Sequence, residues 1–176
     1  VQRFTNGGLP VVLFYSGAVQ YFEKNYPGLP LRPQQGDDLG ERMRSAIDLL
    51  LATGCPAAAL IGSDSPDLPQ EQVEAAFVAL DKNDAVTIPA SDGGYVLVGC
   101  SRPCTALFEG IDWSTGAVCW QTRQRTSESS IRYTETGGWK DIDDIDALRE
   151  LLKRTPDSAT ARFARQELAH HLENSR

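Results

Sequence analysis

The sequence is poor in the residues that build soft-metal sites. Its 176 residues include four cysteines, Cys55, Cys100, Cys104 and Cys119, and no C-x-x-C pair. The only two histidines, His170 and His171, are neighbours near the C-terminal end. That scatter excludes a zinc site of ordinary ligand spacing. Four reduced, structurally buried thiols in a cytoplasmic protein are the expectation, and the histidines are expected to be solvated on the last helix. No apolar run approaches the ~18 residues of a membrane span. The opening "VQRFTNGGLP" has neither a signal-peptide shape nor an initiator methionine, which suits a trimmed or partial chain. Basic residues are short too: 17 against 24 acidic ones, for a net charge of -7. Without a basic stripe the chain is a poor partner for a nucleic acid polymer. A protein of this charge that handles phosphates is expected to recruit a divalent cation. Internal repeats, low-complexity segments and linkers are also missing, so residues 1–176 are expected to form one domain.

What remains is an ordinary globular composition, 41% hydrophobic and 23% charged. "VVLFYSG" (Val11 to Gly17) is an apolar, β-rich run ending in glycine, the pattern of a buried strand. "AVQYFEKNYPG" reads as a short helix and "LRPQQGDD" as a loop. Asp38 and Glu41 make a variant capping box for a helix that ends at Gly54. "AAALIG" is the next strand, and Pro69 suits the first position of the helix after it. "DAVTIPA" and "YVLVGC" are strands joined by an "SDGG" turn. "TALFEG" and "STGAVCWQTRQRT" suggest short helices, and "SSIRYTE" an exposed strand. Asp143 or Asp144 can cap "DIDALRELLKR", and residues 158–173 read as a C-terminal helix. Alternating strands and helices predict an α/β three-layer sandwich with a mostly parallel sheet. In such sheets the loops after strand C-termini build the site.

The acids cluster in such loops. In "LIGSDSPDLP", Asp64 follows the apolar run and is held between rigid prolines. It is placed to hold Mg²⁺ or Mn²⁺ against a diphosphate, since these hard cations take one or two protein oxygens and leave the rest to water and phosphate. The plain alternative is helix capping by Asp67 and a solvated Asp64. In "PASDGGYVLVG", paired glycines permit close approach of a ligand, although Asp-Gly is also a hairpin turn signal. "DIDDID" (Asp141 to Asp146) offers a second metal carboxylate or simply a helix N-terminus rich in acids. In "QQGDDLGERM", Gly36 and Arg42 stand at a helix start suited to a phosphate or hydroxyl. Asp37 and Asp38 would repel an anion there. Trp113, Ser114 and Thr115 suggest a flat sugar platform, or a half-buried tryptophan.

Taken in order, "QQGDDLGERM", "LIGSDSPDLP", "IPASDGGYVLVG", "LFEGIDWST" and "DIDDIDAL" resemble the successive motifs of the DUF2064 family, glycosyltransferase-like or selenodomain-associated transferases. The resemblance runs from Val11 almost to the end of the chain. That family is similar to GT-A nucleotide-diphospho-sugar transferases and to nucleotidyltransferases that guanylylate molybdopterin or phospholactate. The resemblance implies metal ligation by Asp64, with Asp67 beside it, and by Asp141 and Asp143. It implies a catalytic setting for Asp64 and Asp92. Gly93, Gly94 and Tyr95, matching D-G-G-Y, would face sugar or acceptor. "DIDDIDAL" departs from the related D-x-D-T-P-x-D-L pattern at its Thr and Pro positions.

The family opens with a strand, a K-x-P-x-P-G-x-x-K-T-R-L loop and a helix. Here only "VQRF" is similar, to the end of that helix, so the expected fold is N-terminally shortened. Nucleotide binding by the chain alone is then expected to be weak. A sheet without its central strand either closes up or leaves unpaired edges, which invite a homodimer. The expected activity is glycosyl transfer from a nucleotide sugar with Mg²⁺ or Mn²⁺. The alternatives are nucleotidyl transfer from a nucleotide triphosphate and a non-catalytic binding module.

Overall fold

The computed structural model describes residues 2–173. Val1, of the "VQRF" comparison, lies outside the described residues, as do residues 174–176 and the side chain of His171; His170 is exposed. The chain runs α1 (Gln2–Asn6), β1 (Leu13–Tyr15), α2 (Val19–Asn25), β2 (Leu31–Pro33), α3 (Leu39–Ala52), β3 (Ala58–Ile61), α4 (Gln70–Leu80), β4 (Ala85–Pro89) and β5 (Tyr95–Cys100). A 3₁₀ turn (Thr105–Leu107), α5 (Val118–Glu128), β6 (Tyr133–Glu135), α6 (Ile145–Arg154), α7 (Ala159–Glu167) and α8 (Ala169–Glu173) complete it. No helix among the described residues is long and apolar enough to cross a membrane.

Local chemistry sets several boundaries. The Asp38 carboxylate accepts from Glu41 N at 2.8 Å and caps α3. The Glu41 carboxylate reaches back to Asp37 N at 2.8 Å, one residue before the cap, so the capping box is present in displaced form. Asp144, not Asp143, caps α6 through Ala147 N at 2.7 Å, which leaves Asp143 free of that duty. Pro69 occupies the N-cap of α4, one residue earlier than expected. The expected C-terminal helix is two helices. Leu168 leaves helical geometry, and α8 turns back so that Arg149 Nη2 donates to the Leu172 carbonyl at 3.1 Å. The loop expected ahead of α3 contains a short strand, β2, which lies parallel to β1.

The main sheet has the order β3-β5-β4-β6. β5 runs antiparallel to both β3 and β4, and β4 is parallel to β6. Three of four strands therefore point the same way. The reversal of β5 follows from its hairpin connection to β4. Alternate residues feed two apolar clusters on opposite faces. Ala85, Val98 and Cys100 pack with Ile47 of α3, Leu107 and Phe108. Val86, Ile88 and Leu97 pack with Val73, Ala76 and Leu80 of α4. This is the three-layer α/β sandwich. β1 and β2 form a separate two-stranded sheet, and among the described residues β1 pairs only with β2 and β3 only with β5. The side chains of β1, read as a buried strand, are only half-buried; Phe22 of α2 packs on Tyr15 with ring centroids 5.2 Å apart.

Asp84, just before β4, ties the far end of the sheet. Its carboxylate accepts from Arg132 Nη2 at 2.7 Å, Arg132 N at 3.0 Å and Arg102 Nη2 at 3.1 Å. These hydrogen bonds, Arg132 first, hold its pKa well below the ordinary carboxylate range. A lowered folded-state pKa adds stability above the unfolded value of about 3.9 that is lost as pH falls through the folded value. Asp84→Asn should therefore lower the melting temperature by a few degrees at pH 7. Melts run down to pH 2 should show the gap to wild type closing below about pH 4.

Candidate functional site

Because β3, β4 and β6 point the same way, their C-terminal ends share one edge of the sheet. Three acidic segments follow from them: the Asp64 loop after β3, the Asp92 turn after β4, and Asp141 to Asp143 after β6. Backbone contacts draw the segments together. Trp139 N donates to the Pro89 carbonyl at 3.0 Å, extending the β4–β6 pairing toward the turn. Ile142 N donates to the Asp64 carbonyl at 3.0 Å. Asp92, Asp141 and Asp143 each present a carboxylate oxygen, and these oxygens lie within 4.8 Å of one another. Asp141 is half-buried; Asp92, Asp143 and Asp64 are exposed. Burial raises the Asp141 pKa, and the charges of Asp92, Asp143 and Asp64 add to the effect. The sequence points to Asp64, Asp141 and Asp143 as metal ligands. The geometry groups Asp92 with Asp141 and Asp143, and Asp64 is near enough for its charge to act on Asp141.

The Asp92 turn is built by its glycines. Gly93 has φ +95°, and a Cβ there would strike the Gly116 carbonyl oxygen. Gly94 N donates to Asp92 Oδ1 at 2.8 Å. The start of α5 backs the turn: Cys119 N donates to the Gly93 carbonyl at 2.8 Å and Cys119 Sγ to the Gly94 carbonyl at 2.7 Å. Burial pushes the Cys119 thiol up to about 11, so it is protonated and able to donate at neutral pH.

Asp67, expected on the substrate side, is engaged by side chains of this chain. It is 4% exposed. Its Oδ2 accepts from Arg154 Nε at 2.6 Å and its Oδ1 from Trp139 Nε1 at 3.2 Å. The Arg154 guanidinium also stacks 4.8 Å from the centroid of Trp139. This knot fastens the loop after β3 to α6 and to the segment after β6. Tyr95, which follows the Asp92 turn, is half-buried and lies edge-on to Trp113 with centroids 6.3 Å apart; desolvation raises its pKa far above the ordinary phenol value.

Trp113, Ser114 and Thr115 lie on the α3 side of the sheet. Trp113 lines a cleft of about 170 Å³ with Asp38, Arg44, Phe108 and Glu109, a cleft that none of the clustered acids lines. Its indole packs against Gly40, where a Cβ would leave no room. Thr115 Oγ1 donates to the Asp112 carbonyl at 2.7 Å. Gly36 has φ +138°, and its carbonyl accepts from Arg42 Nε at 3.0 Å, so Arg42 closes its own loop. The acids thus come together in space, whereas the Gly36–Arg42 and Trp113–Thr115 groups form a second neighbourhood. The two meet where Gly116 touches Gly93 and where Tyr95 packs on Trp113. Cys119 and the Trp139–Arg154 pair were not singled out from sequence. Neither carries a motif, since each acts through residues at least fifteen positions away.

The profile of DUF2064, an uncharacterized protein conserved in bacteria, matches residues 1–115. A crystal structure from Desulfovibrio desulfuricans G20, described as a "putative nucleotide-diphospho-sugar transferase", superposes with a TM-score of 0.79. It is 30% identical, over 92% of this chain and 74% of that one. No curated protein matches.

Proposed function

Since the chain belongs to the DUF2064 family, whose fold it shares with that nucleotide-diphospho-sugar transferase-like structure, we propose that it transfers a glycosyl group from a nucleotide sugar. The observation that carries this reading is the convergence of Asp92, Asp141 and Asp143 at the C-terminal edge of the sheet. Three hard oxygen donors, one of them half-buried and held among like charges, fit Mg²⁺ or Mn²⁺ in preference to a softer ion. A cation bound there would neutralise the charge that develops on a departing nucleoside diphosphate.

The chain's own residues supply the setting. Asp92, on its glycine-built turn, and Asp141 and Asp143 would hold the cation. Asp64, exposed at the margin, would face the diphosphate. Gly93 and Gly94 present backbone, not side chain, beside Asp92, so a sugar ring would approach closely there. The Trp113 cleft lies on the α3 side and would take the acceptor. Nucleotidyl transfer would use the same carboxylates, so the products decide.

The test is incubation of the protein with Mn²⁺ and a panel of nucleotide sugars and nucleoside triphosphates. Release of a nucleoside diphosphate that needs Mn²⁺ is the expected result. Release of pyrophosphate from a triphosphate would overturn the glycosyl reading in favour of nucleotidyl transfer. Release of neither, with no cation bound, would favour a binding module.

A further inference from the structure

We propose that Cys119 is a positioning residue for the acid cluster, acting through the Asp92 turn. The inference rests on the cation-binding reading above and adds a residue that this reading does not contain. Cys119 sits in the first turn of α5, where backbone amides lack intrahelical partners. Its amide donates to the Gly93 carbonyl at 2.8 Å and its thiol to the Gly94 carbonyl at 2.7 Å. The Gly93 carbonyl and the Gly94 amide belong to one planar peptide group. Fixing that carbonyl therefore fixes the direction of Gly94 N–H, and Gly94 N–H donates to Asp92 Oδ1 at 2.8 Å. The thiol fixes the following peptide plane. Both planes flank glycines, which have no side chain of their own to hold them and the widest backbone freedom. One side chain and its amide thus orient two successive peptides, and through them a carboxylate of the cluster. Cys119 is itself buried, at 5% exposed, so it meets neither cation nor substrate. It sets where Asp92 points.

The experiment compares the full chain with Cys119→Ala, Cys119→Val and Cys119→Ser. Mn²⁺ affinity is measured by calorimetry, and Gly94 amide exchange by NMR. Alanine removes the thiol donor, valine removes it while refilling the volume, and serine keeps an O–H donor; all three keep the residue-119 amide on the Gly93 carbonyl, so the comparison reads the side-chain contact with the Gly94 carbonyl. The expected result is Mn²⁺ affinity lowered roughly tenfold in the alanine and valine variants, the size of an outer-shell effect. The serine variant should stay near wild type, and Gly94 should exchange faster only in the first two. Wild-type affinity in both alanine and valine variants, or equal loss in all three, would overturn the positioning role while leaving cation binding intact. Absence of Mn²⁺ binding in the wild-type protein would instead overturn the cation reading. Unchanged Gly94 exchange in the valine variant would show that the thiol does not hold the turn.

Discussion

Asp141→Asn should raise the melting temperature of the metal-free protein and, at the same time, remove most of its Mn²⁺ affinity. The two effects have one cause. Asp141 is half-buried beside Asp92, Asp143 and Asp64, and burial first, then those charges, raise its pKa. A carboxylate with a raised folded-state pKa is easier to ionise in the unfolded chain. Below the unfolded pKa this group costs the fold nothing. As pH rises through the window between the unfolded and the folded value, the penalty grows, and above the folded value it is complete. Asparagine keeps the shape and removes the charge, so the metal-free fold gains. A cation would reverse the sign, because it favours the ionised form of the whole cluster. Losing a carboxylate that touches the ion should cost more than the roughly 10–100-fold that loss of an outer-shell partner costs. Thermal melts with and without Mn²⁺ check both halves. A variant less stable than wild type without metal, or equally stabilised by Mn²⁺, would contradict the account.

Asp67→Ala should destabilise the protein by about 2 kcal/mol, the scale for losing hydrogen bonds to a buried charged group. The side chain of Asp67 is 2% exposed and that of Arg154 30%. Truncation leaves the Arg154 guanidinium and the Trp139 indole N–H without their shared acceptor. Arg154 is exposed and can turn to water, whereas the half-buried Trp139 N–H loses its acceptor. Urea unfolding is the direct measurement. Because the knot also holds the loop after β3, the melt should broaden if that loop detaches early. A variant of unchanged stability but weakened substrate binding would restore Asp67 to the ligand-contacting role first expected of it.

What was legible in the sequence is what local chemistry decides. Asp38 caps α3 because a short acidic side chain meets free amides within its own turn, and such patterns can be read over four residues. The apolar runs that end in "LIG" and "TIPA" show where strands stop, and a shared strand direction then gathers the acids that follow. That reasoning brought Asp64 and the Asp141 segment to strand ends, while the family resemblance put Asp92 on the substrate side. It did not give their order of closeness, which depends on the bulge between Ile88 and Pro89 and on the Ile142–Asp64 hydrogen bond. Asp67 could not be told from Asp64 by pattern, since two acids three residues apart look alike until Trp139 and Arg154 arrive from the far end of the chain. Cys119 read as a small buried hydrophobe. Its contact with Gly94 joins positions 25 residues apart, and no periodicity announces it. β2 was read as loop, because three residues ending in proline carry almost no strand signal.

The central claim is that the edge formed by the ends of β3, β4 and β6 seats the cation of a transferase. Anomalous X-ray scattering from crystals soaked in Mn²⁺ with a nucleoside diphosphate tests it most directly. The account predicts one strong peak bound by Asp92, Asp141 and Asp143, with diphosphate oxygens completing the shell on the Asp64 side. A saturating soak that leaves these three carboxylates without an ion, or places the ion elsewhere on the chain, would contradict it.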